Sequence, residues 1–270
     1  MTDKPVRKSR TKAPVAIDHV AYDYFAPYYD NYMRHVDYDS WTEKILSMYT
    51  QHTSRPLKDI LELACGTANI SERLIGKGYN VTASDRSPEM LKYAEHKVHK
   101  PNLLQAEMTD ALPSHAFDLV ILVFDSINYL LETAQVSTML VNVSTALRDK
   151  GLFIFDISTH RNSAEHFNRY INIDEDKDHV LIHKADFDPE LRLQKTRLTI
   201  FKRSDNHYMR MDEEHLQRVY HVQELLQFIE DSPLESVGLY SLVYDKNLLR
   251  TNTRKLDHQY SRLFFVLKKG

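Results

Sequence analysis

The sequence predicts a doubly wound α/β fold built on a mostly parallel β-sheet, and three features of the chain support this prediction. Between residues 58 and 158, short apolar segments alternate with segments whose apolar residues recur every three or four positions. The segment 117–124, FDLVILVF, is nearly all apolar, which is typical of a central parallel strand buried on both faces. Five such strands, separated by helices, fit within about 100 residues, as expected for right-handed βαβ units.

The individual elements follow from local signals. The five strands are predicted at 60–63, 79–84, 103–106, 117–124 and 152–157. The helix after the second strand begins at Ser87-Pro88-Glu89, which supplies an N-cap, a proline in the first turn and a nearby acid. The helix before the fifth strand has Val136, Leu140 and Val143 on one face, so it is expected to pack against the sheet.

The pattern changes after residue 158. Segments 179–187, 191–203 and 207–220 are rich in β-branched and aromatic residues, which predicts antiparallel hairpins. A helix at 222–230 and strands near 236–244 and 261–268 are expected to complete the core sheet, and the acidic run 174–176 is expected to form a surface loop. The predicted units are a disordered basic tail at 1–14, a core of 15–158 plus 221–270, and an antiparallel β insertion at 159–220 that covers the active site.

The composition excludes several classes of protein. The 270 residues carry a formal net charge of −3 and a single cysteine, Cys65, which argues against a broad nucleic-acid interface and excludes a disulfide framework. No apolar run approaches the roughly 18 residues that span a bilayer, and the basic N-terminus lacks the apolar stretch of a secretory signal. We therefore expect a cytoplasmic enzyme, monomeric or homodimeric, with no membrane partner and no nucleic-acid partner.

Three of the predicted strands carry an acid at their carboxyl end: Glu62, Asp85 and Glu107. These ends share one edge of a parallel sheet, where ligands of open α/β sheets bind. Asp85 follows Gly66 by 19 residues, a spacing at which an acid can accept both hydroxyls of a ribose. Three acids suit a cationic or uncharged nucleoside better than a pyrophosphate. The sequence therefore predicts a nucleoside site at this edge.

An NAD-dependent oxidoreductase would share the geometry of Gly66 and Asp85, so this alternative stays open. Two observations count against it. The glycine-rich dinucleotide pattern is incomplete, since Ala64 and Ala68 stand where glycines are expected. The carboxylate of Glu62 would also lie close to a bound pyrophosphate.

The segment 61–68, Leu-Glu-Leu-Ala-Cys-Gly-Thr-Ala, resembles the first motif of class I S-adenosylmethionine-dependent methyltransferases, and the resemblance covers roughly residues 20–160. It implies a seven-stranded, Rossmann-like methyltransferase fold with an antiparallel last strand, and S-adenosylmethionine as the cofactor. It further implies that Glu62 anchors the methionine amino end and that Asp85 holds the ribose. The other cofactor contacts that it implies are Ala64, Cys65, Gly66, Arg86, Met90, Glu107, Met108 and Phe124.

Two further segments resemble small-molecule methyltransferases, including the amino-sugar N-methyltransferase group. One is the tyrosine-rich leader, which the resemblance implies folds over the cofactor with Tyr22 and Tyr29 near the sulfonium and carboxylate. Aromatic faces favour such a cation. The other is the segment 124–130, which includes Tyr129.

Methyl transfer needs a general base only if the acceptor arrives protonated. Tyr129 is the first candidate to orient or deprotonate the acceptor, and His160, just past the fifth strand, is the second. His215 and Arg218 are expected to be solvated residues of the insertion.

These observations predict methyl transfer from S-adenosylmethionine to an N or O atom of a small molecule. The alternatives are the NAD-dependent oxidoreductase and a non-catalytic S-adenosylmethionine-binding regulator, which would bind the cofactor without turnover. No metal is expected. Asp125 and Asp156 end neighbouring strands, but Ile157 stands where a metal-dependent methyltransferase would supply an amide ligand.

Overall fold

The computed structural model describes residues 22–243 and 246–270, and these residues form two β-sheets with helices packed against them. The basic tail predicted at 1–14 lies outside the described residues. Over the described part of the chain, no helix combines the length and the apolar character that a bilayer span requires.

The larger sheet has seven strands in the order β10-β11-β5-β4-β1-β2-β3. Its strands are β1 Asp59–Leu63, β2 Asn80–Asp85, β3 Asn102–Gln105, β4 Phe117–Leu122, β5 Leu147–Ser158, β10 Leu234–Ser241 and β11 Arg262–Lys269. Strands β1 to β5 pair in parallel, and β11 runs antiparallel to both of its neighbours. The predicted doubly wound, mostly parallel sheet is therefore confirmed.

Helices cover both faces of this sheet. The α-helices of the described residues are α1 Ala26–Tyr32, α2 Tyr38–His52, α3 Asn69–Gly76, α4 Pro88–Ala94, α5 Thr133–Ala146, α6 His160–His166, α7 Val222–Glu230 and α8 Leu256–Gln259. Leu119 and Ile121 of β4 pack on the side of α2 and α3, whereas Val120 and Leu122 pack on the side of α5 and α7. Every residue of β4 is buried, which accounts for the apolar run that predicted a central strand.

The smaller sheet is antiparallel and follows β5 in the chain, as the sequence predicts. Its strands, in sheet order, are β6 Tyr170–Glu175, β7 His179–Asp188, β8 Leu193–Ser204 and β9 His207–Arg218. The expected surface loop at 174–176 is wrong for Asp174 and Glu175, which end β6. In this edge strand apolar Ile171 and Ile173 are exposed, whereas Asn172 and Asp174 are half-buried, so the pattern is the reverse of that of an ordinary half-buried strand.

The loop after β1 carries alanine in a backbone conformation that favours glycine. Ala64 has φ of 49° and Ala68 has φ of 63°. A left-handed conformation costs an L-residue roughly 1–2 kcal/mol, because its Cβ approaches the following carbonyl. Both positions are those at which the sequence motif lacks glycine, so the chain keeps the glycine geometry without the glycine.

We expect Ala64→Gly to raise the free energy of unfolding by about 0.5–1 kcal/mol, since the strain relieved exceeds the added flexibility of the unfolded chain. Urea denaturation measures this difference. Ala134→Gly is the matched control, because Ala134 is an exposed residue in the first turn of helix α5, where glycine relieves no strain and should cost up to about 0.5 kcal/mol. A loss at both positions would contradict the strain argument.

Candidate active site

A cavity of about 990 Å³, counted to its open mouth, lies at the carboxyl ends of β1, β2 and β4 beneath helix α1. Thirteen of the fourteen site residues predicted from the sequence line this cavity. These are Tyr22, Tyr29, Glu62, Ala64, Cys65, Gly66, Asp85, Arg86, Met90, Glu107, Met108, Phe124 and Tyr129. The lining also includes residues that were not predicted, among them Tyr38, Asn69, Ser126 and Gln135.

His160 is the predicted candidate that the fold does not bring to this cavity. It is the first residue of α6, and its ring contacts Phe187 and His258 at centroid distances of 5.2 and 4.2 Å. Burial, aided by the neighbouring His258, lowers its pKa. His160 follows the end of β5 in the sequence, but its imidazole does not line the cavity.

Glu62 lies on β1 and is 3% exposed. Its Oε2 accepts hydrogen bonds from the backbone N–H of Ser71, at 2.9 Å, and from the Ser71 hydroxyl. Burial raises the pKa of Glu62 to about 7, although both Ser71 donors favour the ionised form. A cationic ligand group placed beside Glu62 would compensate this desolvation.

This raised pKa makes stability depend on pH. The folded state binds the Glu62 proton more tightly than the unfolded state does, so the contribution is complete below pH 4.5 and is lost as the pH rises to about 7. We expect the difference in unfolding free energy between wild type and Glu62→Gln to fall by about 3 kcal/mol across this range. Urea denaturation at each pH tests this, and a difference that stays constant with pH would contradict it.

Asp85 ends β2, and its two carboxylate oxygens accept hydrogen bonds from two different loops. Oδ2 accepts the N–H of Gly66 at 2.8 Å, and Oδ1 accepts the N–H of Ser87 at 2.9 Å. Burial raises the pKa of Asp85 against the effect of these donors. Each oxygen retains capacity for a further donor such as a ribose hydroxyl. Gly66 has φ of 55°, and a Cβ there would have no atom within 4 Å, so the backbone leaves open space beside the carboxylate.

The far side of the cavity combines polar and apolar groups. Met90 of α4 is buried, whereas Arg86 and Glu107 are exposed at the rim. The Glu107 N–H donates to Asp110 at 2.9 Å, which fixes the backbone at the end of β3. A planar base could lie against Met90 and Met108 with its polar edge toward Glu107. The donor set and this wall fit an adenosine that carries a cationic amino acid group.

Helix α1 covers the cavity and is fixed by hydrogen bonds at both ends. Asp30 accepts hydrogen bonds from Thr67 Oγ1 at 2.5 Å, Asn69 Nδ2 at 2.9 Å and Lys97 Nζ at 3.0 Å. At the other end, Glu213 of β9 accepts the N–H groups of residues 22, 24 and 25. The cover is therefore tied to β9 of the smaller sheet and to the segments that follow β1 and β2.

A line of polar side chains runs from the smaller sheet into the cavity. Tyr22 Oη lies 2.7 Å from Tyr129 Oη, which lies 3.2 Å from Nδ1 of His215. Burial raises the pKa of both phenols. The expectation that His215 is solvated is wrong, since it is 4% exposed. Alternate residues of β9 face inward, and Glu213, His215 and Gln217 lie on that face. Their i, i+2, i+4 spacing is the signal that could have identified them.

The two strand-end acids considered as metal ligands are paired with an arginine. Arg262 donates to Asp125 Oδ1 at 2.7 Å and to Asp156 Oδ2. Phe124 and Asp125 have φ of 59° and 51°, so the backbone beside the cavity is strained. Within residues 22–243 and 246–270, no group of His, Cys, Asp and Glu side chains has a metal-binding arrangement.

An α/β fold with acids near three strand ends and a phenol-rich cover agrees with the resemblance to S-adenosylmethionine-dependent methyltransferases, and comparisons with known proteins show that class. A profile of the family described as "Methyltransferase domain" matches residues 60–151. YqeM of Bacillus subtilis (strain 168), which is named as a methyltransferase, is 34% identical over 254 residues, spanning 92% of this chain and 97% of YqeM. The chain belongs to the S-adenosylmethionine-dependent methyltransferase family.

Solved structures extend this likeness. A crystal structure of an S-adenosylmethionine-dependent methyltransferase from Clostridium acetobutylicum ATCC 824 has a TM-score of 0.76 and 27% identity, covering 92% of this chain and 99% of its own. The sugar N-methyltransferase KedS8 from Streptoalloteichus has a TM-score of 0.72 at 16% identity, covering 99% of each chain. The latter likeness concerns the fold alone.

Proposed function

We propose that the protein transfers a methyl group from S-adenosylmethionine to an N or O atom of a small molecule bound in this cavity. Glu62 would hold the methionine amino end and Asp85 the ribose. The loop Ala64-Cys65-Gly66 and the side chains of Met90, Met108, Arg86, Glu107 and Phe124 would complete the cofactor contacts. The observation that carries the proposal is that buried acids and the phenols of Tyr22 and Tyr129 line one cavity.

A small acceptor is favoured by the way in which the cavity is covered. Helix α1 and β9 of the smaller sheet are joined over it by Glu213, and Tyr22 and Tyr29 extend from the cover into it. A cover of this kind leaves little room for a macromolecule. KedS8, which has the same fold, is named as a sugar N-methyltransferase, and this supports the same substrate class.

Methyl transfer is an in-line displacement, and the bound cofactor supplies both the methyl group and a neutral thioether leaving group. The chain therefore has to bind, align and exclude water. The aromatic faces of Tyr22 and Tyr29 would favour the positively charged sulfur. Tyr129 would orient the acceptor, since its hydroxyl lines the cavity beside that of Tyr22.

Two measurements test this proposal. Calorimetry with S-adenosylmethionine, its demethylated product and NAD should give binding of the first two and none of NAD. A panel of small amines and alcohols incubated with methyl-labelled S-adenosylmethionine should then identify a labelled product. Tight binding of NAD would support the oxidoreductase instead. Cofactor binding with no product from any acceptor would support the regulator.

A further inference from the structure

A line of four side chains, Glu213, His215, Tyr129 and Tyr22, runs from β9 to the cavity. Positioning a methyl acceptor does not by itself require the two buried members on β9. His215 Nε2 lies 3.3 Å from Glu213 Oε2 and makes no hydrogen bond among the described residues, so this contact is electrostatic. His215 Nδ1 lies 3.2 Å from Tyr129 Oη, and Tyr129 Oη lies 2.7 Å from Tyr22 Oη. Glu213 and His215 are both nearly fully buried, which leaves Tyr22 and Tyr129 as the members that line the cavity.

The carboxylate of Glu213 determines which groups donate and which accept along this line. Glu213 faces Nε2, so the neutral imidazole of His215 is favoured with its proton on Nε2 and a lone pair on Nδ1. Tyr129 must then donate to Nδ1, and Tyr22 must donate to Tyr129. Each phenol has a single proton, so the remaining lone pairs of Tyr22 face the cavity as hydrogen-bond acceptors. A methyl acceptor that presents an N–H or O–H donor fits them.

We propose that this line carries a proton from the methyl acceptor to His215, and that the acceptor atom is the nitrogen of an amine. The proposal rests on the methyltransferase function proposed above and specifies its substrate. His215 and Glu213 act as positioning residues, because they touch the acceptor only through Tyr129 and Tyr22.

The transfer balances as three proton shifts. An ammonium N–H proton passes to Tyr22 Oη, the Tyr22 proton passes to Tyr129 Oη, and the Tyr129 proton passes to His215 Nδ1. The amine is left with the lone pair that attacks the methyl carbon, and both phenols end neutral. His215 becomes an imidazolium with Glu213 as its counter-ion. No oxidant, reductant or additional reactant is required.

Ordinary pKa values favour an amine over an alcohol as the methyl acceptor, because His215 is the group that receives the proton. The ordinary pKa of an alkylammonium lies about 4 above that of histidine, whereas hydroxyls such as water lie about 9 above it. Burial raises the pKa of both phenols, so neither is present as a phenolate that could keep the proton. An imidazole can therefore deprotonate an ammonium far more readily than a hydroxyl.

The groups that face this line are consistent with a proton on His215. His183 of β7 is the nearby histidine, and burial together with His215 lowers its pKa to about 4, so it stays neutral at physiological pH. The other ionisable groups that act on His215 or on the two phenols are Glu213, Tyr29, Asp85, Arg86 and Asp125. Of these, Arg86 alone is a cation.

Nitrogen-15 NMR of the full chain labelled at histidine tests the direction of the line without any ligand. The resonances of His215 are identified by their loss in His215→Gln. In the neutral imidazole, Nε2 should be protonated and Nδ1 unprotonated, and Tyr129→Phe should shift the Nδ1 resonance. A proton on Nδ1 would overturn the proposal, because Tyr129 could not then donate to it.

A second test uses sinefungin, in which an amine replaces the methyl group of S-adenosylmethionine, and compares it with the demethylated product. Protonation of His215 reverses the hydrogen bonds and turns the Tyr22 hydroxyl toward the cavity as a donor. The ratio of sinefungin affinity to product affinity should therefore be about tenfold lower when the nitrogen-15 resonances report a protonated His215 than when they report a neutral one. In His215→Gln the ratio should not change with pH.

His183→Gln is the matched control, since His183 is a buried, inward-facing histidine of the same sheet outside the line, and it should keep the wild-type pH dependence. A wild-type ratio that does not vary with pH would contradict the relay. Failure of the methyltransferase proposal gives a different result, because the demethylated product would not bind at any pH. Whether or not the protein is a methyltransferase, the NMR experiment determines which nitrogen of His215 carries the proton and therefore which way the hydrogen bonds point.

Discussion

Replacing Arg262 with methionine is expected to lower the free energy of unfolding by about 3–5 kcal/mol, the usual cost of leaving buried charges unpaired. Arg262 is the ion-pair partner of Asp125 and Asp156, and Asp156 is fully buried. The same cluster includes Gln217 of β9, whose Nε2 donates to Asp125 Oδ2 at 2.6 Å. Loss of the guanidinium would therefore destabilise the junction between the two sheets as well as the end of β4.

Urea denaturation at pH 8 measures this effect. Arg210→Met is the control, because Arg210 is exposed and pairs with Asp212 at the surface, where the change should stay within about 0.5 kcal/mol. The defect in Arg262→Met should shrink on acidification. Burial raises the pKa of Asp156 to about 6 even with the arginine present, so the unpaired carboxyl can be neutralised by a proton. A loss below 1 kcal/mol at pH 8 would show that the carboxylates find other partners.

Asp85→Ala is expected to weaken binding of S-adenosylmethionine by about 1–3 kcal/mol, or roughly 5- to 150-fold, through the loss of charge-assisted hydrogen bonds. Calorimetry measures the affinity. The substitution also removes the acceptor for the N–H groups of Gly66 and Ser87, so part of the effect arises from a less ordered loop. Asp85→Asn, which keeps one acceptor oxygen, should therefore lose less than alanine does.

Asp188→Ala is the matched control for Asp85→Ala. Asp188 also accepts two backbone N–H groups, those of Glu190 and Leu191, but it ends β7 of the smaller sheet, outside the cavity. Its loss should leave cofactor affinity within a factor of two. Unchanged affinity in Asp85→Ala, with the fold intact by circular dichroism, would refute the ribose assignment.

Local patterns in the sequence were sufficient to place the cofactor side of the cavity. Glu62, Gly66 and Asp85 lie at strand ends or in the adjoining loop, and parallel pairing brings such ends to one edge whatever the distant parts of the chain do. The same reasoning succeeded for helix α4, since its cap residues are consecutive in the chain and Ser87 accepts the Met90 N–H as expected.

The acceptor side could not be placed in this way. His215 and Glu213 come from a strand that follows Tyr129 by more than 80 residues, and their contacts depend on how the smaller sheet packs over the larger one. His160 shows the converse error, because a residue adjacent to a strand end was directed away by the first turn of α6. The pairing of Arg262 with two acids likewise joins β11 to strand ends more than 100 residues earlier.

The polar anchoring of α1 has a consequence for ligand exchange. Helix α1 lies over the cavity and is held by Asp30 and Glu213, so breaking those contacts would widen the route by which ligands reach and leave the cavity. Detachment would separate these hydrogen bonds and the packing of Phe25 and the neighbouring tyrosines on the smaller sheet, but it would leave the pairing of the strands in the larger sheet intact. We expect the amides of α1 to exchange with deuterium faster than those of β1 and β4, and release of the spent cofactor to set the pace of turnover.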